Sequence, residues 1–407
     1  MKVNSNIKGK MKMNFNQDET YRLSQPPKIG KIALGIGILG LLLTFLGYFT
    51  DRGQFFHSYL TGYIFWTTIG LGGLFFTLLH HLANATWSVV VRRLGESAMI
   101  TLPIMFFLFI PVILGYHHLY EWSHTEEVAK DAILLKKAGY LNTPFFTIRT
   151  MIYFGVWLFL GLWLYRNSLR QDENGVAHLT EKMRRVSAPG MILFAVTLTF
   201  AAFDWLMSLE AHWYSTIFGV YIFGGCFLSI LAFITLMAQY MRRQGILANI
   251  ITVEHYNDLG KWLFAFTVFW GYIAFSQYFL IWYGNIPEET IWFQHRWVGS
   301  WKEMSLVLIF AHFVIPFFIL MPRASKRNLG ILASMAVLIL FAHWVDMYWI
   351  VMPGYHPQGV QFSWMDFTSL IGIGGIFVWH FWARLASHAL IPPHDPKLQA
   401  SLRFENV

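Results

Sequence analysis

Six ionisable residues stand well inside the apolar runs of this 407-residue chain: Asp204, His312, His343, Asp346, Asp366 and His380. Three more, His80, His81 and Glu96, lie near the ends of such runs. An ionised side chain in hydrocarbon costs about 2.5 kcal/mol or more, so each must be paired or used. His343 and Asp346 are three residues apart and share a helix face, within reach of a common hydrogen bond. Asp204 belongs to the run FDWLMSLEAHWYSTIFG (Phe203 to Gly219), with Glu210 and His212 further outward. Ordered by position along their runs, Asp204, Glu210, Gln277, Glu303, His343, Asp346 and Asp366 gather in the outer half. His312 sits in the middle, and His380, His80, His81 and Glu96 fall in the inner half. Titratable groups at graded depth suit a proton relay, because burial and neighbours tune each proton affinity. The competing reading is that they pair with one another and fix helix packing.

Other chemistries fit less well. The single cysteine, Cys226, excludes a disulfide framework, a Cys-ligated iron–sulfur cluster and a CxxCH haem attachment. A buried haem needs two axial ligands facing each other, whereas His312, His343 and His380 are expected at different depths. No HxxxH or HExxH pair falls on an apolar run, so no metal site is expected. Trp163, Trp213, Trp282, Trp292, Trp297, Trp349 and Trp364 lie near run ends, as in interfacial belts. The glycines at 70, 72, 73, 372, 374 and 375 read as close helix contacts rather than phosphate loops. A quinone site would need an aromatic slot beside a proton acceptor, and no one group of residues marks it.

The elements that position these residues follow from composition. Hydrophobic residues make up 56 % and charged residues 13 %, about half the charged share of a soluble domain. Ten stretches reach the roughly 20 apolar residues a helix needs to cross a bilayer: 32–50, 57–82, 97–116, 145–167, 188–209, 214–241, 258–283, 298–321, 329–352 and 364–390. The fold expected is all-α and polytopic. Residues 1–30 form a polar cytoplasmic tail without a signal-peptide pattern, and 31–56 contain the first span. Residues 57–213 are read as a first four-helix bundle with an outer loop over 117–143, 214–352 as a second bundle, and 353–407 as the tenth helix and a tail.

With the amino terminus inside, 23 of the 30 Lys and Arg residues fall on the cytoplasmic side, Arg92 and Arg93 among them as loop charges. Both termini are therefore expected in the cytoplasm. The net charge of +8 is explained by this topology, not by nucleic-acid binding. In the outer loop, residues 129–138 have helical amphipathic spacing and are expected along the interface; 284–297 form a second outer segment.

A shift of 158 residues lays Tyr63-Ile64-Phe65 on Tyr221-Ile222-Phe223, Phe75 on Phe233 and Thr77-Leu78 on Thr235-Leu236. Such internal repeats are frequent in membrane proteins that carry ions or substrates. If the two bundles are duplicates, Asp204 and Asp346 are counterparts.

Three runs carry a family likeness: YLNTPFFTIR (140–149), FDWLMSLEAHWYSTIFG, and FSQYFLIWYGNIPEE (Phe275 to Glu289). With the sequence around them, from the second to the ninth span, they resemble the subunit-F family of bacterial alternative complex III, a quinol:electron-acceptor oxidoreductase, within the NrfD-like, polysulfide-reductase-type membrane subunits. The resemblance implies ten helices with two four-helix bundles and a place in a respiratory complex of the bacterial inner membrane. It implies no cofactor in this chain. Haem c and iron–sulfur clusters would reside in partner subunits, beside a homologous NrfD-like subunit. It also implies an association with quinone and a proton path, which the matching runs place on Asp204, His343 and Asp346. Two other readings fit the buried acids: a secondary transporter and a purely structural membrane anchor.

Overall fold

The structure, a computed structural model, describes residues 21–23 and 28–406. Most of the expected polar tail, 1–30, lies outside the described residues. Ten helices are long and apolar enough to cross a membrane. They are α1 (Ile29–Gly47), α2 (Arg52–Leu82), α3 (Val89–Leu114), α4 (Thr143–Asn174), α5 (His178–Glu210), α6 (Phe218–Arg243), α7 (Val253–Gly284), α8 (Trp301–Leu320), α9 (Leu329–Val351) and α10 (Trp364–Ser387). No strand occurs among the described residues. The chain is an all-α polytopic membrane protein. Ten crossings put both ends of the described chain on one side, the terminal face; the other is the loop face.

Helix ends are set by local chemistry. Asp51 caps α2 by accepting from the Gln54 N–H at 2.9 Å, and Asn142 caps α4 through the Phe145 N–H at 3.0 Å. Helix α4 stops at Gly175, whose φ of +64° supplies the left-handed residue that closes many helices. Several helices outrun their apolar stretches. Helix α3 starts at Val89, so Arg92 and Arg93 are not loop charges but wholly buried helix residues. It then proceeds in pieces, Val89–Met99, Leu102–Leu108 and Ile110–Leu114. Pro103 and Pro111 begin the second and third pieces, because proline lacks the N–H that would continue the ladder.

Helices α2, α3, α4 and α5 pack in a closed ring, and α6, α7, α8 and α9 form a second. The rings meet through α2 and α6, the two most enclosed spans, 83 % and 78 % buried over their apolar windows. Helix α5 also touches α6, and α9 touches α2. Exchanging the bundles turns either cross-contact into the other. At the centre of the seam the Cys226 thiol lies 3.0 Å from the Thr68 carbonyl, 158 positions away. Gly72 faces Ile230, again 158 away, and a Cβ there would come within 2.6 Å of the Ile230 side chain. Positions related by the repeat spacing thus meet each other, as residues on a two-fold axis must.

Helices α1 and α10 pair outside the bundles, and α10 packs on α2. Their backbones approach at Gly40 and Gly372, where a Cβ on Gly40 would lie 2.7 Å from the Gly372 Cα. On the loop face, residues 132–137 form a short helix capped by Asp131. Lys137 ties it down by donating to the Ala211 carbonyl at 2.6 Å. A further helix, Pro287–His295, lies between α7 and α8.

Candidate functional site

The nine residues singled out in the sequence fall into six surroundings, and only one of them holds three together. In the first bundle, Asp204 on α5 faces Arg149 on α4. Arg149 Nε donates to Asp204 Oδ2 at 2.8 Å and Nη2 to Oδ1 at 2.9 Å, while the Tyr153 hydroxyl donates to Oδ2 at 2.6 Å. The guanidinium is clamped in turn: Nη1 reaches the Tyr140 carbonyl at 2.9 Å and the Tyr140 ring covers it at 3.8 Å. A two-pronged arginine–carboxylate pair with a third donor fixes the charge of Asp204.

Asp346 in the second bundle is equally enclosed, 1 % exposed, but differently supported. The Tyr221 hydroxyl of α6 donates to Oδ1, and Oδ2 has no partner. Among the described residues no Lys or Arg forms an ion pair with it. His343, one turn back on α9, contacts the Thr68 hydroxyl of α2 through Nε2 at 2.8 Å. Thr68 already donates its proton to the Phe65 carbonyl at 2.8 Å, so it accepts from His343. Nε2 therefore carries the imidazole proton, and Nδ1 is left as an unpartnered acceptor.

His312 joins this group. It lies in a π-helical stretch of α8, Ile309–Val314. Its ring centroid stands 4.0 Å from that of Trp270 on α7 and 6.3 Å from that of His343. His312 and His343, expected at different depths, are brought by α8 and α9 to within 6.3 Å of each other. Both nitrogens of His312, Nδ1 of His343, Oδ2 of Asp346 and Nε1 of Trp270 lack hydrogen-bond partners. Such groups are rare in protein interiors and need a reason. Among the described residues, no three His, Cys, Asp or Glu side chains are placed to hold a metal ion.

The remaining candidates serve elsewhere. Asp366 closes a capping box at the start of α10, accepting from the Ser363 N–H at 2.8 Å and the Ser58 hydroxyl at 2.5 Å. Glu96 is locked near the terminal face between Arg92 at 3.0 Å and Arg93 at 2.7 Å, with the Ser168 hydroxyl at 2.8 Å. Arg92 also reaches Asp395 at 2.5 Å, which fastens the carboxy-terminal segment to α3. His80 bonds Ser88 at 2.7 Å, and His81 packs edge-on against it. His380 is half-buried on α10, its Nε2 3.4 Å from Arg384 Nε, and meets none of the others.

At the loop face a cavity of about 300 Å³ opens among His57, His118, Glu121, Glu210, Ile350 and Tyr355. Ile350 is one turn of α9 beyond Asp346. Glu210 on the wall pairs with Arg296 at 2.7 Å and with His295 at 3.0 Å. Arg296, 1 % exposed, also donates to the carbonyls of Trp349 and Ile350 at 3.1 and 3.0 Å. Burial pushes its guanidinium below the usual arginine range, and Glu210 opposes that.

Sequence reasoning missed Tyr221, Trp270 and Thr68 as partners of the His343–Asp346 pair, and Arg149 as the partner of Asp204. Tyr221 stood in the repeat as the copy of Tyr63 without a polar role attached. Nothing in the sequence set Trp270 apart from the other tryptophans. No protein-family model matches this chain, and no curated protein matches it.

Proposed function

We propose that the chain is a membrane subunit of a bacterial respiratory quinol:electron-acceptor oxidoreductase of the alternative complex III type, and that it handles protons at Asp346. In this reading it lies in the inner membrane with both termini in the cytoplasm. Iron–sulfur and multihaem cytochrome c subunits and a homologous NrfD-like subunit are its partners, and they carry the electrons. The three sequence runs quoted above and the arrangement of ten helices in two bundles support the assignment. The excess of basic residues toward the terminal face supports the orientation.

The observation that carries the proton role is the surroundings of Asp346. A carboxyl with one free oxygen, a tyrosine donor and an imidazole acceptor one turn away can take up and pass on a proton, because no fixed cation pins its charge. Asp204 cannot do so while Arg149 grips both its oxygens. The loop-face cavity ends one helical turn from Asp346, which makes that face the nearer source or sink.

Gentle purification should retain companions carrying haem c and iron–sulfur clusters. In the assembled complex, Asp346→Asn should lower the number of protons moved per electron. Unchanged stoichiometry in an intact complex would rule out the proton role. Isolation of the chain as a stable monomer that moves a solute unaided would replace it with a transporter.

A further inference from the structure

Two segments that are separate in the chain make one side of the loop-face cavity: His118, Leu119 and Glu121 at the start of the outer loop, and Leu209 and Glu210 at the end of α5. The Tyr120 hydroxyl ties them by donating to the Trp205 carbonyl at 3.0 Å. A single imidazole ties them again. His212, two residues past Glu210, has Nε2 2.7 Å from Asp131 Oδ2 and Nδ1 3.7 Å from Glu121 Oε2. Among the described residues these are its only ion pairs. The other charged groups around it are engaged elsewhere: Glu210 by Arg296 and His295, and Lys137 by the Ala211 carbonyl.

The two contacts of His212 differ in what they require. At 2.7 Å, Nε2 must donate a hydrogen to the Asp131 carboxylate. A neutral ring has one N–H, so once Nε2 carries it, Nδ1 is a bare lone pair. That lone pair faces the Glu121 carboxylate and is repelled by it. An imidazolium has a hydrogen on both nitrogens and attracts both acids. One proton therefore reverses the sign of the Glu121 contact. The Asp131 carboxyl, held down to about 2, stays ionised throughout pH 5 to 8, the interval in which imidazoles as a class take up protons.

We propose that His212 is a pH-sensitive clip that closes the loop-face cavity. Protonated, it draws Glu121 and Asp131 together and seals the seam between the outer loop and the end of α5. Neutral, it keeps Asp131, releases Glu121 and lets the seam open. Glu121 lines the cavity, so a shift of that residue is a shift of the wall. Acid at the loop face thus narrows the cavity, and its removal widens it. A restraint on proton exchange at Asp346 by acid at that face follows only if the proton role proposed above holds; the clip itself does not rest on it.

Hydrogen–deuterium exchange of the full chain in lipid nanodiscs tests the clip. After correction for the intrinsic pH dependence of amide exchange, residues 117–124 should be about threefold more protected at pH 5.5 than at pH 8, the scale of a partly exposed ion pair. His212→Gln, which keeps a donor for Asp131, and Glu121→Gln should each abolish the difference. Equal protection at the two pH values in the unaltered chain would overturn the proposal, whether or not either variant folds. Leu119→Cys puts a thiol in the cavity wall, and the native Cys226 is buried. Its labelling by a maleimide, relative to that of the exposed Glu288→Cys at the same pH, should rise about threefold from pH 5.5 to pH 8. A loop that loosens without that rise would overturn the closure as well. The pH dependence should persist in Asp346→Asn, so that a failed clip and a failed proton role are read apart.

Discussion

Two buried carboxylates, each toward the loop-face end of the last helix of its bundle, have opposite surroundings. Asp204 faces an arginine from the neighbouring helix and has both oxygens engaged. Asp346 faces a tyrosine and keeps one oxygen free. Both are essentially inaccessible to solvent, so burial alone does not decide what an intramembrane acid does. The difference lies in the partner. A cation fixes the charge and turns the acid into a brace between helices, whereas a neutral donor leaves the charge free to be neutralised by a proton. Two bundles of like helix arrangement thus hold one acid between helices by a cation and leave the other without one.

The contrast is easiest to break at Arg149. Arg149→Leu leaves the Asp204 carboxylate buried without a counter-ion and should cost about 3–5 kcal/mol of stability, seen as a lower unfolding temperature in detergent or failure to accumulate. Replacing both partners in Arg149→Leu/Asp204→Leu should recover most of that loss, because no stranded charge remains. Asp346→Asn strands nothing and should shift the unfolding temperature far less than Arg149→Leu. An equal loss in the two single variants would erase the distinction between the sites.

A smaller effect separates the loop that covers the first bundle from the spans beneath it. Asp131 is partly exposed, and the Leu134 N–H and then His212 hold its carboxyl down to about 2. Its folded-state value lies below the ordinary 3.9 of an aspartate, so its contribution to docking the 132–137 helix is complete above that value. It is lost as pH falls through about 2. Pepsin, active in that range, should cut within residues 120–142 progressively faster between pH 4 and pH 2, and Asp131→Ala, which has no capping oxygen, should be cut quickly across the whole interval. A cleavage rate independent of pH in both proteins would show that the cap does not hold the loop.

The spans were legible because the need to bury a hydrogen-bonded backbone in lipid writes itself into composition. Their ends were less so. Helix α3 starts ahead of its apolar run because the mutual pairing of Arg92, Arg93 and Glu96 makes them tolerable inside a helix, and that pairing does not show in composition. The deep acids and histidines were visible one at a time, through the expense of placing them there. Their company was not, because which residues face one another depends on how each helix is rotated about its axis. The π-helical turn in α8 changes that rotation in mid-helix and swings His312 toward His343. A regular count of 3.6 residues per turn does not anticipate it. Asp366 shows the reverse case: its depth drew notice, while the Ser363–Asp366 spacing already spelled a helix start.

Infrared difference spectroscopy of the assembled complex, comparing reduced and oxidised states, bears most directly on the claim that Asp346 rather than Asp204 exchanges a proton. A protonated carboxyl group has a C=O stretch that a carboxylate lacks, so a band in that region should change on turnover. It should vanish in Asp346→Asn and persist wherever Asp204→Asn assembles. A band that survives in Asp346→Asn and disappears in Asp204→Asn would contradict the assignment outright.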